Sequence, residues 1–158
     1  MRYILIDRIT SLEPGRTIIA VKNVTASESL VTEYGSDLWA LPPSMLLEAM
    51  AQAAGLLVAS TIQFRAQPVL AKVQPFSADG FAVPGDQITL RAELRELRDA
   101  GCQLDATAHV GSTRLAEATI FLALVPLDAF GRAEELRARM ARTFPGWFVE
   151  PAAVEVLP

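Results

Sequence analysis

Apolar and polar residues alternate along two segments in the second half of the chain. The apolar positions are Ile88, Leu90, Ala92 and Leu94 in the first segment, and Leu104, Ala106, Ala108 and Val110 in the second. A period of two puts every second side chain on the same side of a strand, so each segment is predicted to be a β-strand with one buried face. A turn at Gly111-Ser112 leads to a third strand over about 114–125, and the three strands are predicted to form an antiparallel meander.

The first half of the chain shows turn signals between short apolar segments. Glu13-Pro14-Gly15 supplies the dihedrals of a tight turn, so "RITSLEPGRTIIAVKNVT" is predicted to form a hairpin of two strands. The polar stretch "ASESLVTEYGSD" is predicted to be a loop, and "QPVLAKVQPF" a short strand. With the meander, these segments predict an antiparallel sheet of five or six strands.

One segment is apolar in almost every direction of a helix. Pro42-Pro43 fixes the backbone where a helix can begin without losing an internal hydrogen bond, and the apolar run predicts a helix over about 44–62. Ser44, Glu48 and Gln52 are spaced four residues apart, which places them on one narrow face. Because a helix that is apolar nearly all round is a buried helix, the sequence predicts an α+β domain in which the sheet embraces this helix.

The end of the chain differs in composition from the rest. We expect one domain over residues 1–125 and an extension over 126–158 that packs on the same domain. The extension contains "RAEELRARMAR", which is typical of a short charged helix that could cover a sheet edge. It also contains Phe144, Trp147 and Phe148 around a Pro-Gly pair, a pattern that favours an aromatic packing cluster over a ligand site.

Composition narrows the function. The net charge is -4 and the 14 basic residues are scattered, so no nucleic-acid surface is expected. Cys102 and His109 are the only cysteine and histidine, which excludes an intrachain disulfide and a multi-Cys/His metal site and favours a reducing, cytoplasmic location. The first residues lack the uninterrupted apolar region of a signal peptide, and the run 45–59 is too short and too polar for a membrane span.

A carboxylate in so apolar a helix needs an explanation. Burial of an unpaired carboxylate is costly, so Glu48 either pairs with an arginine or a loop amide, or has a chemical task. Gln52 likewise either forms a hydrogen bond to the backbone or takes part in a site. The residue pattern alone leaves both explanations open.

A resemblance favours a chemical task. The segments "YILIDRITSLEPGRTIIAVKNVT", "LLEAMAQAAG" and "VPGDQITLRAEL" resemble the FabZ-type (3R)-hydroxyacyl-acyl-carrier-protein dehydratases, in the same order and over about residues 3–125. The resemblance implies the hotdog fold, in which an antiparallel sheet wraps a long helix, and a homodimer or higher assembly with its sites at the subunit interface. It also implies a thioester substrate carried on the phosphopantetheine of an acyl carrier protein, no other cofactor, and Glu48 as the catalytic acid.

The sequence departs from the family at two positions. The family's catalytic histidine, fourteen residues before the acid, corresponds to Tyr34, and the glycine whose N–H polarises the thioester carbonyl corresponds to Pro43. A tyrosine has an ordinary pKa of about 10 and is a poor base at neutral pH. Proline has no N–H, so an oxyanion donor of the kind worth about 3 kcal/mol elsewhere is missing.

Other residues could supply a base. Glu33 and Asp37 lie in the same loop, and a carboxylate whose pKa is raised toward about 6 by burial can act as a base. His109 occupies the polar face of a predicted strand, where a histidine is usually only solvated. We therefore predict a catalytic set of Glu48, Tyr34 and Asp37, with substrate contacts from Pro43, Ser44, Gln52 and Trp39.

Three functions fit these residues. The chain is a dehydratase with a modified site, a hotdog protein that binds acyl carriers or completes a heterodimer with a histidine-bearing relative, or a hotdog thioesterase. A channel for the acyl chain would involve Met45, Met50 and Phe76, although such residues are more often core. Trp39 would lie near the channel mouth or plug it. An acidic carrier protein would meet Arg65, Lys72 and Arg91, unless these are ordinary surface residues.

Overall fold

A computed structural model of the chain describes residues 4–127 together with Glu134 and Ala138. Residues 4–127 contain one α-helix, α1 (Pro43–Thr61). The strands are β1 (Arg8–Glu13), β2 (Thr17–Asn23), β3 (Thr32–Tyr34), β4 (Leu38–Ala40), β5 (Ala66–Ala78), β6 (Gln87–Arg98), β7 (Gly101–Val110) and β8 (Thr113–Pro126). The predicted α+β fold class is confirmed.

Six strands form one antiparallel sheet in the order β1-β2-β6-β7-β8-β5. Helix α1 packs against it and contacts β2, β5, β6, β7 and β8. The meander β6-β7-β8 and the hairpin β1-β2, which turns at Gly15 with a φ of 80°, are as predicted. The arrangement is the hotdog fold that the resemblance implies.

The two faces of the sheet have opposite character. Ile88, Leu90 and Leu104 are completely buried. On the other face Arg91, Glu93, Arg95 and Asp105 form a chain of exposed ion pairs with N–O distances of 2.6–3.0 Å. The alternation in the sequence therefore fixed which face of β6 and β7 packs inward.

Helix α1 is the centre of the core. Its buried residues are Leu46, Ala49, Met50, Ala51, Ala53, Ala54, Leu57, Val58 and Ala59. With 19 residues and a mean hydropathy of 1.2, α1 is long and apolar enough to cross a membrane, unlike the shorter run considered in the sequence. Core helices of soluble proteins meet the same criterion, and half of this segment is buried inside the chain, so we interpret α1 as a core helix.

Two predictions about local structure were wrong. The segment expected to be a loop contains β3 and leads directly into β4, and the two strands form a small hairpin in which Tyr34 pairs with Leu38. The strand expected to be short is β5, 13 residues long, although it contains Pro68 and Pro75. Proline is tolerated because β5 is an edge strand of the sheet, where one side of the backbone has no partner strand in the described chain.

The chain divides into two compact units, residues 1–126 and 127–158. In the second unit the structure describes only Leu127, Glu134 and Ala138, and the latter two are helical. The predicted aromatic cluster of Phe144, Trp147 and Phe148 lies outside the described residues, as does most of the predicted C-terminal helix.

Candidate functional site

The N-terminal end of α1 is open. Pro42 precedes the helix, no side chain caps it, and Pro43 has no N–H to offer. The N–H groups of Met45 and Leu46 both donate to the carbonyl oxygen of Pro42, at 2.9 and 3.1 Å. Ser44 is exposed, and its N–H has no acceptor among the described residues. The first available amide donor of the helix is therefore that of Ser44, one residue after the position where the family has its glycine.

A chain of two hydrogen bonds holds the carboxylate of Glu48. The N–H of Leu5 donates to Oε1 of Gln52 at 2.9 Å, and Nε2 of Gln52 donates to Oε1 of Glu48 at 3.0 Å. The backbone donor at Leu5 fixes which end of the Gln52 amide points toward Glu48, since only the NH₂ end can donate to a carboxylate. Gln52 therefore orients Glu48 and links it to the N-terminal segment.

Glu48 is exposed in the single chain, as is Ser44, whereas Gln52 is half-buried. The sequence predicted that all three lie on one face of the helix, and the hydrogen bond between Gln52 and Glu48 agrees with that placement. Neither an arginine nor a loop amide is paired with Glu48 in the part of the chain that the structure describes. An exposed, oriented carboxyl group can accept a proton as the carboxylate, or donate one as the carboxylic acid, at a group that approaches from outside the chain.

The hairpin β3-β4 carries the other predicted catalytic residues. The ring of Tyr34 is half-buried and lies 5.0 Å from the ring of Phe81, with a tilt of 54° between them. The Tyr34 hydroxyl forms no hydrogen bond with any described residue. Every fully buried side-chain oxygen of the described residues has a hydrogen-bond partner, so the Tyr34 hydroxyl is not fully buried. Asp37 and Glu33 are exposed, so the burial that would make either a base is not supplied by the described chain itself.

Trp39 lies on the opposite side of the hairpin from Tyr34. Its strand partner is Glu33, whereas Tyr34 is paired with Leu38, and neighbouring positions of a strand point to opposite faces. Trp39 is 54% exposed and fills no cavity of the described chain. The structure thus brings Ser44, Glu48 and Gln52 together on the helix, while Tyr34 and Trp39 diverge on the hairpin.

The residues predicted for an acyl channel and for carrier contacts lie in the core or have contacts within the chain. Met50 is buried in the core, Met45 is half-buried, and Phe76 is 36% exposed on β5. The basic side chains have internal contacts: Arg65 Nε donates to the carbonyl oxygen of Ile62, the Lys72 ammonium lies 5.6 Å from the centre of the Phe121 ring, and Arg91 pairs with Glu93. His109 is half-exposed and pairs with Thr89 on β6.

Two contacts of the site had no clear signal in the sequence. Phe81 lies in the segment between β5 and β6, before the turn at Pro84-Gly85, and nothing in its neighbourhood indicated a ring contact with Tyr34. The role of Leu5 depends on its backbone N–H, which every residue except proline possesses. Among the described residues no group of three His, Cys, Asp or Glu side chains could hold a metal ion.

A shallow depression of about 260 Å³ is lined by residues of the β1-β2 turn and β6, namely Gly15, Arg16, Thr17, Arg91, Glu93 and Leu94. None of the predicted catalytic or substrate-contact residues lines it, although Arg91, a predicted carrier contact, does. Its arginines are already paired, Arg16 with Glu13 and Arg91 with Glu93. We therefore place the candidate site at the start of α1 and not in this depression.

Comparison with known proteins supports the resemblance. The chain is 36% identical over 124 residues to the 3-hydroxyacyl-[acyl-carrier-protein] dehydratase FabZ of Symbiobacterium thermophilum, which covers 78% of the chain and 87% of that relative. It is 30% identical over 121 residues to the FabZ of Clostridium kluyveri, covering 73% of the chain and 81% of the relative.

Solved structures share the fold at lower identity. The smu.793 protein of Streptococcus mutans bound to acetyl CoA has a TM-score of 0.65 at 16% identity, covering 80% of this chain and 94% of that one. A hypothetical thioesterase of Streptococcus pneumoniae with coenzyme A has a TM-score of 0.63 at 17% identity, covering 75% and 88%. The dehydratase heterocomplex ApeI:P of Xenorhabdus doucetiae has a TM-score of 0.64 at 14% identity, covering 77% and 82%.

The profile of the FabA-like domain family matches residues 1–119, three quarters of the chain. That match covers both hairpins, α1, β5, β6, β7 and the first half of β8. Together with the FabZ relatives at 30–36% identity, it shows that the chain belongs to the FabA-like domain family and is of the FabZ type.

Proposed function

We propose that this chain binds a 3-hydroxyacyl thioester and contributes Glu48, as the acid, to a dehydration site shared between two hotdog subunits. The observation that carries the proposal is the Glu48 carboxylate, exposed on the core helix and oriented by Gln52. The base would come from a histidine-bearing relative in a heterodimer. The substrate would arrive on the phosphopantetheine of an acyl carrier protein, and the reaction needs no further cofactor.

Dehydration requires two proton transfers. A base removes the proton on the carbon next to the thioester carbonyl, the C–O bond to the hydroxyl breaks, and an acid protonates the departing oxygen to give water. Glu48 can supply the second proton. Tyr34 stands where the family has its base, and a phenol is a weak base at neutral pH. One half of the acid–base pair is therefore present in this chain, and the other half is not.

The thioester carbonyl also needs a hydrogen-bond donor. Pro43 cannot provide one, but the N–H of Ser44 has no acceptor in the described chain and lies at the positive end of the helix dipole. We propose that Ser44 takes over part of this role, with Tyr34 as a second donor through its hydroxyl. The Ser44 N–H and the Tyr34 hydroxyl would each be a weaker donor than a backbone amide that is held in line with the carbonyl.

A second subunit has a suitable place to bind. The outer edge of β5 pairs with no strand of the described chain, and Val69, Leu70 and Phe76 on β5 are 36–43% exposed. An edge strand without a partner can pair with another chain, and here Pro68 and Pro75 would contribute no N–H to that pairing. We propose that β5 joins a subunit of the same family, and the ApeI:P dehydratase heterocomplex is a precedent for a chain of this fold in an assembly of unlike subunits.

The proposal is tested by complementation. The chain is mixed with a histidine-bearing FabZ-type relative from the same organism whose own helix acid has been changed to glutamine. Each protein alone should leave a (3R)-hydroxyacyl-carrier-protein thioester unchanged, and the mixture should form the enoyl product. Glu48→Gln in this chain should remove the activity of the mixture, whereas the control Glu96→Gln, an exposed residue of β6, should not.

Two results would overturn the proposal. One is dehydration by this chain alone at a rate comparable to that of the mixture, since no partner base would then be needed. The other is a mixed dimer, demonstrated by sedimentation or native mass spectrometry, that stays inactive.

A second candidate is thioester hydrolysis, which the same carboxylate favours because activation of water needs a single base. Hydrolysis would not require the histidine that Tyr34 replaces, but attack of water on the thioester carbonyl would still require a hydrogen-bond donor in place of the one missing at Pro43. It is recognised by release of a free thiol from an acyl thioester by the chain alone, a product that dehydration does not give. Loss of thiol release in Glu48→Gln would support hydrolysis. A wild-type protein that releases no thiol would exclude hydrolysis.

A further inference from the structure

Lys22 is the one buried charged residue among those the structure describes, with 4% of its surface exposed. It follows Ile18 and Ala20 on the core-facing side of β2, where an apolar residue would be expected. Its ammonium lies 2.8 and 3.1 Å from the two carboxylate oxygens of Glu28 and 3.4 Å from the carbonyl oxygen of Asn23. A buried charge is tolerated when it is paired and hydrogen-bonded, as here.

Glu28 occupies the middle of the segment between β2 and β3. Its N–H donates to the carbonyl oxygen of Thr25, and its own carbonyl oxygen accepts from the N–H of Val31, both at 3.1 Å. Val31 is 7% exposed and directly precedes β3. The side chain and backbone of Glu28 therefore join the ammonium of Lys22 to the residue at which the β3-β4 hairpin begins.

The other end of the hairpin is held separately. Leu41, which follows β4, is 2% exposed, and its N–H donates to the carbonyl oxygen of Ala82 at 2.8 Å. Between Val31 and Leu41 most of the hairpin is exposed, but Ala40, next to Leu41, is completely buried, and the ring of Tyr34 contacts that of Phe81. The fully buried attachments of the hairpin thus lie at its two ends, at Val31 and at Ala40 with Leu41.

We propose that the Lys22–Glu28 ion pair is a positioning device that sets where the β3-β4 hairpin, with Tyr34 and Trp39, lies relative to the start of α1. Two apolar residues could fill the same space and give equal stability, because replacing a buried ion pair by hydrophobic residues is often neutral. An ion pair with a fixed donor and acceptor specifies one arrangement of the segment. Flexible apolar side chains do not.

The test measures amide hydrogen exchange of residues 24–42 together with the melting temperature. In Lys22→Met, which leaves Glu28 unpaired, we expect exchange in β3-β4 to rise by at least about tenfold and Tm to fall by about 10 °C. In Lys22→Met/Glu28→Met we expect Tm to recover while the hairpin stays unprotected. The matched control is Arg95→Met, which removes exposed ion pairs on the outer face and should change neither.

If Lys22→Met does not fold, Glu28→Gln keeps the volume of the side chain and should still loosen the hairpin. Unchanged exchange in β3-β4 of a folded single variant would overturn the proposal. So would a double variant whose hairpin protection returns together with its Tm, since the pair would then be only a source of stability. Neither readout requires a substrate, so the result is independent of the proposed dehydration.

Discussion

The two ends of α1 are built in opposite ways. At the C-terminal end, Oγ1 of Thr61 accepts from the N–H of Gly15 at 2.8 Å and donates to the carbonyl oxygen of Leu57 at 2.7 Å. The chain then turns back, and the N–H of Phe64 donates to the carbonyl oxygen of Ala59 at 2.8 Å. At the N-terminal end, no side chain caps the helix, and Ser44 and Glu48 are exposed.

The difference separates structure from function along one helix. Helix ends are normally satisfied by caps or by the chain itself, as at Thr61. An end without a cap, next to an oriented carboxylate, leaves a donor and an acid available to a molecule from outside. We propose that the exposed face of the first turns of α1, with Ser44 and Glu48, serves the site. Leu46, Ala49 and Met50 in the same turns are buried and hold the fold together with the C-terminal half of the helix.

The largest expected effect on stability is in the C-terminal half of α1. Leu57 is completely buried, so Leu57→Ala should reduce the free energy of unfolding by about 3 kcal/mol through lost burial and the cavity it leaves. Leu47→Ala, at a half-buried position near the open end, should cost about 1 kcal/mol. Urea denaturation measures both. Equal losses would break the distinction between the two halves.

A smaller effect is expected where the two functions meet, at Gln52. Gln52→Met removes the acceptor of the Leu5 N–H and the donor to Glu48, and a partly buried N–H without an acceptor should cost about 2 kcal/mol. The same change should lower the rate of the mixed dimer, because Glu48 is no longer oriented. Denaturation and the complementation assay measure the two effects. A loss of stability with an unchanged rate would show that Gln52 serves only the fold.

The smallest effect compares the hydroxyls at the two ends. Thr61→Val keeps the shape of the side chain but removes the acceptor of the Gly15 N–H, and should cost about 1 kcal/mol. Ser44→Ala removes no cap bond, so its cost should stay below about 0.5 kcal/mol. Thermal unfolding of the two variants compares them directly. A cost for Ser44→Ala as large as that for Thr61→Val would show that the N-terminal end is capped after all.

The sequence predicted those parts of the fold in which a repeating pattern records burial. The alternation in β6 and β7, and the apolar run with its polar face in α1, follow from the periods of strands and helices. The β3-β4 hairpin was missed because strands of three residues are too short to show a period, and Thr32, Glu33 and Asp37 read as loop. The length of β5 was underestimated because Pro68 and Pro75 argue against a strand unless it lies at an edge.

Prediction of the site was limited by a different cause. The shared face of Ser44, Glu48 and Gln52 follows from spacing, but the bond from the Leu5 backbone to Gln52 joins residues 47 positions apart. Lys22 was not recognised either, since a lysine in a strand is expected to be exposed. Contacts that depend on tertiary placement leave no local pattern.

The most direct test of the account restores the missing half of the site within this chain. Tyr34→His/Pro43→Gly returns the base and the amide that the family implies, and the measurement is single-turnover dehydration of a (3R)-hydroxyacyl-carrier-protein thioester. We predict a rate at least about 100-fold above that of the unmodified chain, and its loss when Glu48→Gln is added. A folded double variant that is no faster than the unmodified chain, or that stays active without Glu48, would contradict the claim that Glu48 acts as the catalytic acid once a base is supplied.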